Sequence, residues 1–75
     1  MDFANRLKKF RLTIGMTQYE IAMQLGITER GYRNYELGKR EPELSVLIKI
    51  ADLLNVSLDD LVGRTFPKNS LVDSK

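Results

Sequence analysis

The sequence predicts an all-α fold, a compact five-helix bundle with a short C-terminal tail, and three observations carry that expectation. Apolar side chains recur at three- and four-residue intervals along most of the chain, the spacing of a buried helical stripe. Glycines and hydroxyl or acidic residues punctuate these stripes where helices would start and stop. No run alternates apolar and polar residues for long enough to propose a strand.

The first stripe is Phe3, Leu7, Phe10 and Ile14, one face of a helix ending at Gly15 and expected to enter the core. Thr17-Gln18-Tyr19-Glu20 reads as a capping box, in which the threonine hydroxyl accepts an orphan backbone N–H and the glutamate reaches back. A short second helix follows with Ile21, Ala22 and Leu25 facing inward, and it stops at Gly26. Thr28 caps a third helix running to about Leu37, with Gly38 as its stop. Lys39 to Glu41 form a loop, and Pro42 marks the approach to a fourth helix. There Leu44, Leu47, Ile50, Ala51 and Leu54 keep helical period as far as Asn55. Ser57-Leu58-Asp59-Asp60 caps a fifth helix that ends at Gly63. The pattern breaks over residues 64–75, where Pro67 favours an extended Phe66. The expected organisation is a domain over 1–63 and a C-terminal tail over 64–75, a candidate dimerisation arm.

Composition narrows the function. The chain has 75 residues, 43% of them apolar and 29% charged, with neither cysteine nor histidine. Disulfides and thiolate metal sites are thereby excluded, and so are the commonest catalytic acid–base and the commonest zinc ligand. No nucleophile–base constellation is visible, so the expectation is a binding module rather than an enzyme, with no catalytic residue, metal or cofactor. No apolar run reaches the roughly 18 residues of a membrane span, and the start lacks the apolar run of a secretory signal. A cytoplasmic protein without a membrane partner is expected. Charge is asymmetric: residues 1–40 hold eight basic side chains against four acidic, and residues 41–75 hold four against six. Such a split suits one face that meets a polyanion, although ordinary solvated charge gives the same count.

The turn Gly26-Ile27-Thr28 joins two short helices. Ala22 offers the small side chain needed where a following helix crosses closely, and Gly26 supplies a turn residue for which positive φ is cheap. Tyr32 and Tyr35 align to pack inward against Ile21 and Leu25. The result is a helix-turn-helix, though other helical hairpins need similar residues. Met16-Thr17-Gln18-Tyr19-Glu20-Ile21-Ala22, Leu25-Gly26-Ile27-Thr28 and Tyr35-Glu36-Leu37-Gly38-Lys39-Arg40-Glu41-Pro42, followed by Leu47, Ala51, Leu54, Val56-Ser57 and Leu61, together resemble the phage-repressor-like Cro/cI-type (XRE) DNA-binding family. The resemblance covers roughly residues 3–63. It implies a lambda-repressor-like domain whose third helix enters the major groove, and transcriptional regulation, usually by repressing dimers. Two positions depart from the pattern. Tyr32 stands where the family usually has a small aliphatic residue, and Gly31 sits inside the third helix at a cost of about 1 kcal/mol relative to alanine.

On the third helix, Arg30 and Asn34 share a face away from the tyrosines. Arginine can clamp guanine O6 and N7, and asparagine adenine N6 and N7, which makes these two the leading base-reading candidates. Glu29 and Arg33, also four apart, are further base-contact candidates, or a helix-surface pair. Gln18 is a candidate phosphate contact at the positive end of the second helix, the role its counterpart has in the resembling family. Tyr19, Lys39 and Arg40 join it as phosphate candidates, while Lys8 and Lys9 read as solubility charges. The resemblance makes Arg11 and Glu36 a structural ion pair between the first and third helices. The expected partners are double-stranded DNA and a second copy of the chain, with no small-molecule ligand. Leu58, Leu61 and Val62 of the fifth helix, with Phe66 and Leu71 of the tail, are the candidate dimer surface. An antitoxin-type protein of the same fold, neutralising a toxin and regulating its own operon, is the alternative, and a purely structural helical adaptor a third reading.

Overall fold

The computed structural model describes residues 3–63. They form α1 (Phe3–Thr13), α2 (Gln18–Leu25), α3 (Glu29–Glu36), α4 (Leu44–Leu54) and α5 (Leu58–Val62). The described elements are all helical, as the spacing predicts. The 64–75 tail, with Pro67, Phe66, Leu71 and Val72, lies outside the described residues.

Local chemistry accounts for the boundaries. Thr17 Oγ1 accepts from the Glu20 N–H at 3.0 Å while the Thr17 N–H donates to Glu20 Oε1 at 2.9 Å, the reciprocal capping box. Thr28 and Ser57 cap α3 and α5 with a single bond each, accepting an N–H three residues on at 3.0 Å. Gly26 closes α2 at φ 74°, and the Ile27 N–H donates back to the Ala22 carbonyl. Asn55, at φ 59°, plays the same part after α4. Pro42 is buried one position before Glu43, the N-cap of α4, which makes no side-chain cap bond.

The core holds Leu7, Ile21, Ala22, Leu25, Tyr32, Ile50, Ala51, Leu54 and Leu61, with Phe3, Phe10, Met16, Ile27, Tyr35, Val46, Leu47, Leu53 and Val56 packed around it. α2 lies against α3 and α4, and α1 against α3 and α5. α3 therefore has two supporting helices behind it, which leaves its other side exposed. Each large apolar side chain removed from water contributes roughly 1.5–3 kcal/mol.

Two expectations about burial need correction, and one periodic apolar position lies outside the core. Ile14 is 42% exposed because α1 ends at Thr13 and the chain is already turning. Arg11, one turn after Leu7, takes the buried place instead. Leu44 is 65% exposed because it opens α4, beyond the reach of the neighbouring helices. Leu61 is fully buried in the core and is not part of any outer surface of α5.

Candidate nucleic-acid interface

Behind the exposed side of α3, three helices meet on one carboxylate. Arg11, in the last turn of α1, donates from Nε to Glu36 Oε2 at 2.6 Å and from Nη2 to Glu36 Oε1 at 3.1 Å. Its Nη1 donates to the Met16 carbonyl at 2.9 Å, so the same guanidinium pins the loop before α2. Gln18 Nε2, from the start of α2, donates to Glu36 Oε1 at 3.0 Å. Tyr32, one turn earlier on α3, donates its hydroxyl to Oε2.

The Arg11 and Glu36 side chains are only 9% and 3% exposed, so their charges depend on each other rather than on water. Burial by itself pushes the Glu36 carboxyl up. The hydrogen bonds from Arg11, Tyr32 and Gln18 outweigh it and hold the group below the usual carboxylate range. The hydrogen bond to Glu36 raises the Arg11 guanidinium against the opposing effect of burial. Burial, then the bond to Glu36, pushes the Tyr32 phenol up. At neutral pH the cluster is therefore carboxylate, guanidinium and neutral phenol.

The outer side of α3 carries the other candidates. Helical spacing puts Arg30 and Asn34 opposite the buried Tyr32; Arg30 is exposed and Asn34 half-buried. Arg33 Nη2 and Glu29 Oε2 lie 3.2 Å apart on the flank, with side chains 47% and 40% exposed. An exposed pair at this spacing adds only about 0.2–0.5 kcal/mol, so Arg33 remains free to exchange partners. The Lys39 and Arg40 N–H groups donate to the Asn34 carbonyl at 3.0 and 3.4 Å. These bonds fold the following loop back onto the end of α3 and place two exposed cations there. Tyr19 is exposed on α2, next to Gln18. The structure thus gathers Arg30, Arg33, Asn34, Lys39 and Arg40 on α3 and its following loop, and sets Arg11 and Glu36 apart in the interior.

A family model described as helix-turn-helix matches residues 7–61. The chain belongs to the helix-turn-helix family. This helix-turn-helix chain is 48% identical over 63 residues to the SPbeta prophage-derived uncharacterized HTH-type transcriptional regulator YonR of Bacillus subtilis, over 84% of this chain and 58% of YonR. It is 41% identical over 64 residues to the cryptic phage CTXphi transcriptional repressor RstR of Vibrio cholerae, over 85% of this chain and 57% of RstR. A transcriptional regulator from Listeria innocua superposes with a TM-score of 0.81 at 26% identity, over 96% of this chain and 74% of that one. The chain thus spans somewhat more than half the length of these two curated relatives. The resemblance to phage repressors read from its motifs holds.

Some features of this helix-turn-helix protein escaped the sequence reading. Tyr32 is a core residue with a polar task, and its place four residues before Glu36 is the signal that pairs them. The Gln18–Glu36 contact spans 18 residues and leaves no such trace. At Gly31, an added Cβ would lie 3.1 Å from Thr28 Oγ1, so the near neighbour there is the helix's own cap. Among the described residues no group of three or more acidic side chains is placed to hold a metal ion, and no helix is long and apolar enough to cross a membrane.

Proposed function

We propose that this helix-turn-helix protein is a sequence-specific DNA-binding transcriptional regulator, a repressor that binds a near-palindromic operator as a homodimer in the cytoplasm. The observation that carries the reading is the outer stripe of α3, with Arg30 and Asn34 opposite the buried Tyr32. An α-helix with its side chains fits a major groove about 12 Å wide. In this reading Arg30 and Asn34 bond guanine and adenine edges, and Glu29 and Arg33 flank them. Gln18, Tyr19, Lys39 and Arg40 meet phosphates, which set orientation rather than sequence. Residues 1–63 form the DNA-binding domain, and 64–75 serve as a dimerisation arm.

The repressor assignment is supported by the likeness to RstR, a phage transcriptional repressor. The dimer is supported by reach: one short helix covers only a few base pairs, so genomic specificity calls for two copies. Leu58, 38% exposed, and the half-buried Val62 supply the apolar surface on α5. Selection of bound duplexes from a random pool, followed by footprinting, tests the proposal. The expected outcome is an enriched near-palindrome with half-site centres about 34 Å apart. A pool that stays random while binding remains salt-sensitive refutes sequence-specific recognition.

A further inference from the structure

Gln18 stands at the boundary between the buried cluster and the proposed phosphate contacts. Its Nε2 donates to Glu36 Oε1. A carboxylate can only accept hydrogen bonds, so it is the amide nitrogen and not the amide oxygen that turns toward Glu36. The carboxylate in turn has no freedom to follow Gln18, because Arg11 holds both of its oxygens and Tyr32 donates to one of them. One N–H of Gln18 is consumed by this contact and the second is left over. Glu36, with 3% of its side chain exposed, is itself withdrawn from any ligand.

We propose that Glu36 is a positioning residue for DNA binding: from the end of α3 it fixes the Gln18 amide at the start of α2, so that the second N–H is presented to a single operator phosphate. This rests on the reading of Gln18 as a phosphate contact. The consequence is a fixed register between two helices. The helix that reads bases also sets the direction of a backbone contact made by the other. An amide without this partner would have to be ordered when DNA arrives, at a cost in affinity.

The test uses the full 75-residue chain and operator duplexes carrying one neutral methylphosphonate at a time. Wild-type affinity is expected to fall about tenfold at one phosphate per half-site to which Gln18→Ala is indifferent. Glu36→Gln is expected to lose sensitivity at that same phosphate while keeping the others, because its amide group no longer dictates which way Gln18 turns. Glu36→Asp keeps the charge beside Arg11 but retracts it from Gln18, and is expected to show the same selective loss if Glu36→Gln fails to fold. A merely structural role would weaken binding at every position alike and leave the profile intact. A folded Glu36 variant with the wild-type profile overturns the proposal. If Gln18→Ala itself keeps every wild-type sensitivity, the reading of Gln18 falls first and the proposal falls with it.

Discussion

Replacing Arg11 by methionine keeps most of the aliphatic stem and removes the guanidinium. Three donated hydrogen bonds disappear, two to Glu36 and one to the Met16 carbonyl. Glu36 is left with Tyr32 and Gln18 as partners, in a place where water reaches 3% of its side chain. Breaking a buried pair from one side costs roughly 3–5 kcal/mol. At roughly 0.05–0.15 kcal/mol per residue, a chain this short has only about 4–11 kcal/mol in total, so a single change consumes a large share of it. Glu36→Leu is expected to cost a similar amount, by stranding the Arg11 guanidinium. The double variant Arg11→Met/Glu36→Leu is expected to recover much of the loss, since apolar groups of similar volume replace buried pairs at little cost. Recovery stays partial because the Tyr32 hydroxyl and the Gln18 amide lose their acceptor, at about 1 kcal/mol each. Urea and thermal unfolding of all four proteins without DNA measures these differences, and at 4–8 °C per kcal/mol each single variant drops by roughly 12 °C or more. Single variants that each cost under about 1 kcal/mol and add without coupling would refute the argument. Arg11 would then join the candidate DNA contacts.

Other outcomes follow from the same geometry. Because the folded Glu36 pKa is depressed, its contribution is fully present above the unfolded value of about 4.3 and is lost as pH falls through the folded one. The gap in urea midpoint between wild type and Glu36→Gln should therefore be flat near neutrality and close below about pH 4; a constant gap across the acid range would contradict it. Arg30→Ala is expected to cost about 1–3 kcal/mol of DNA affinity and relax preference at one base position, whereas Lys39→Ala weakens all sequences alike and reduces the salt slope by about one; uniform weakening by Arg30→Ala would make it a phosphate ligand. On α5, Leu58→Glu should raise the dissociation constant of the proposed dimer in sedimentation with little effect on the melting of the monomer. Leu61→Ala should instead cost roughly 2–5 kcal/mol of stability, and a Leu58→Glu variant that stays dimeric removes α5 from the interface.

What could be read from the chain divides along physical lines. Thr17, Thr28 and Ser57 were legible as caps because a cap is settled within four residues. Gly26 was legible for the same reason, since its positive φ is set by the turn it makes. Burial is not local. Ile14 and Leu44 continue their stripes faithfully, yet each lies where no neighbouring helix covers it. Leu61 has the opposite history, because its burial depends on α1 and α4 closing over α5. In the candidate interface, Arg30 and Asn34 fall on one exposed side of α3 by spacing alone. That Gln18 turns inward to Glu36 follows from how α2 crosses α3, which no spacing along the chain encodes.

The shortness of α2 and α3, eight residues each, ties the exposed side of α3 to the fold as a whole. Isolated helices below about 12–15 residues are marginal in water even for favourable sequences. Neither helix persists once the Arg11–Glu36 cluster and the core behind it come apart. The exposed side of α3, with Arg30 and Asn34, is therefore presented only by the folded chain, and folding is a precondition for whatever that side binds. Heat or a protease acting on the open chain therefore removes that side of α3 together with the core behind it.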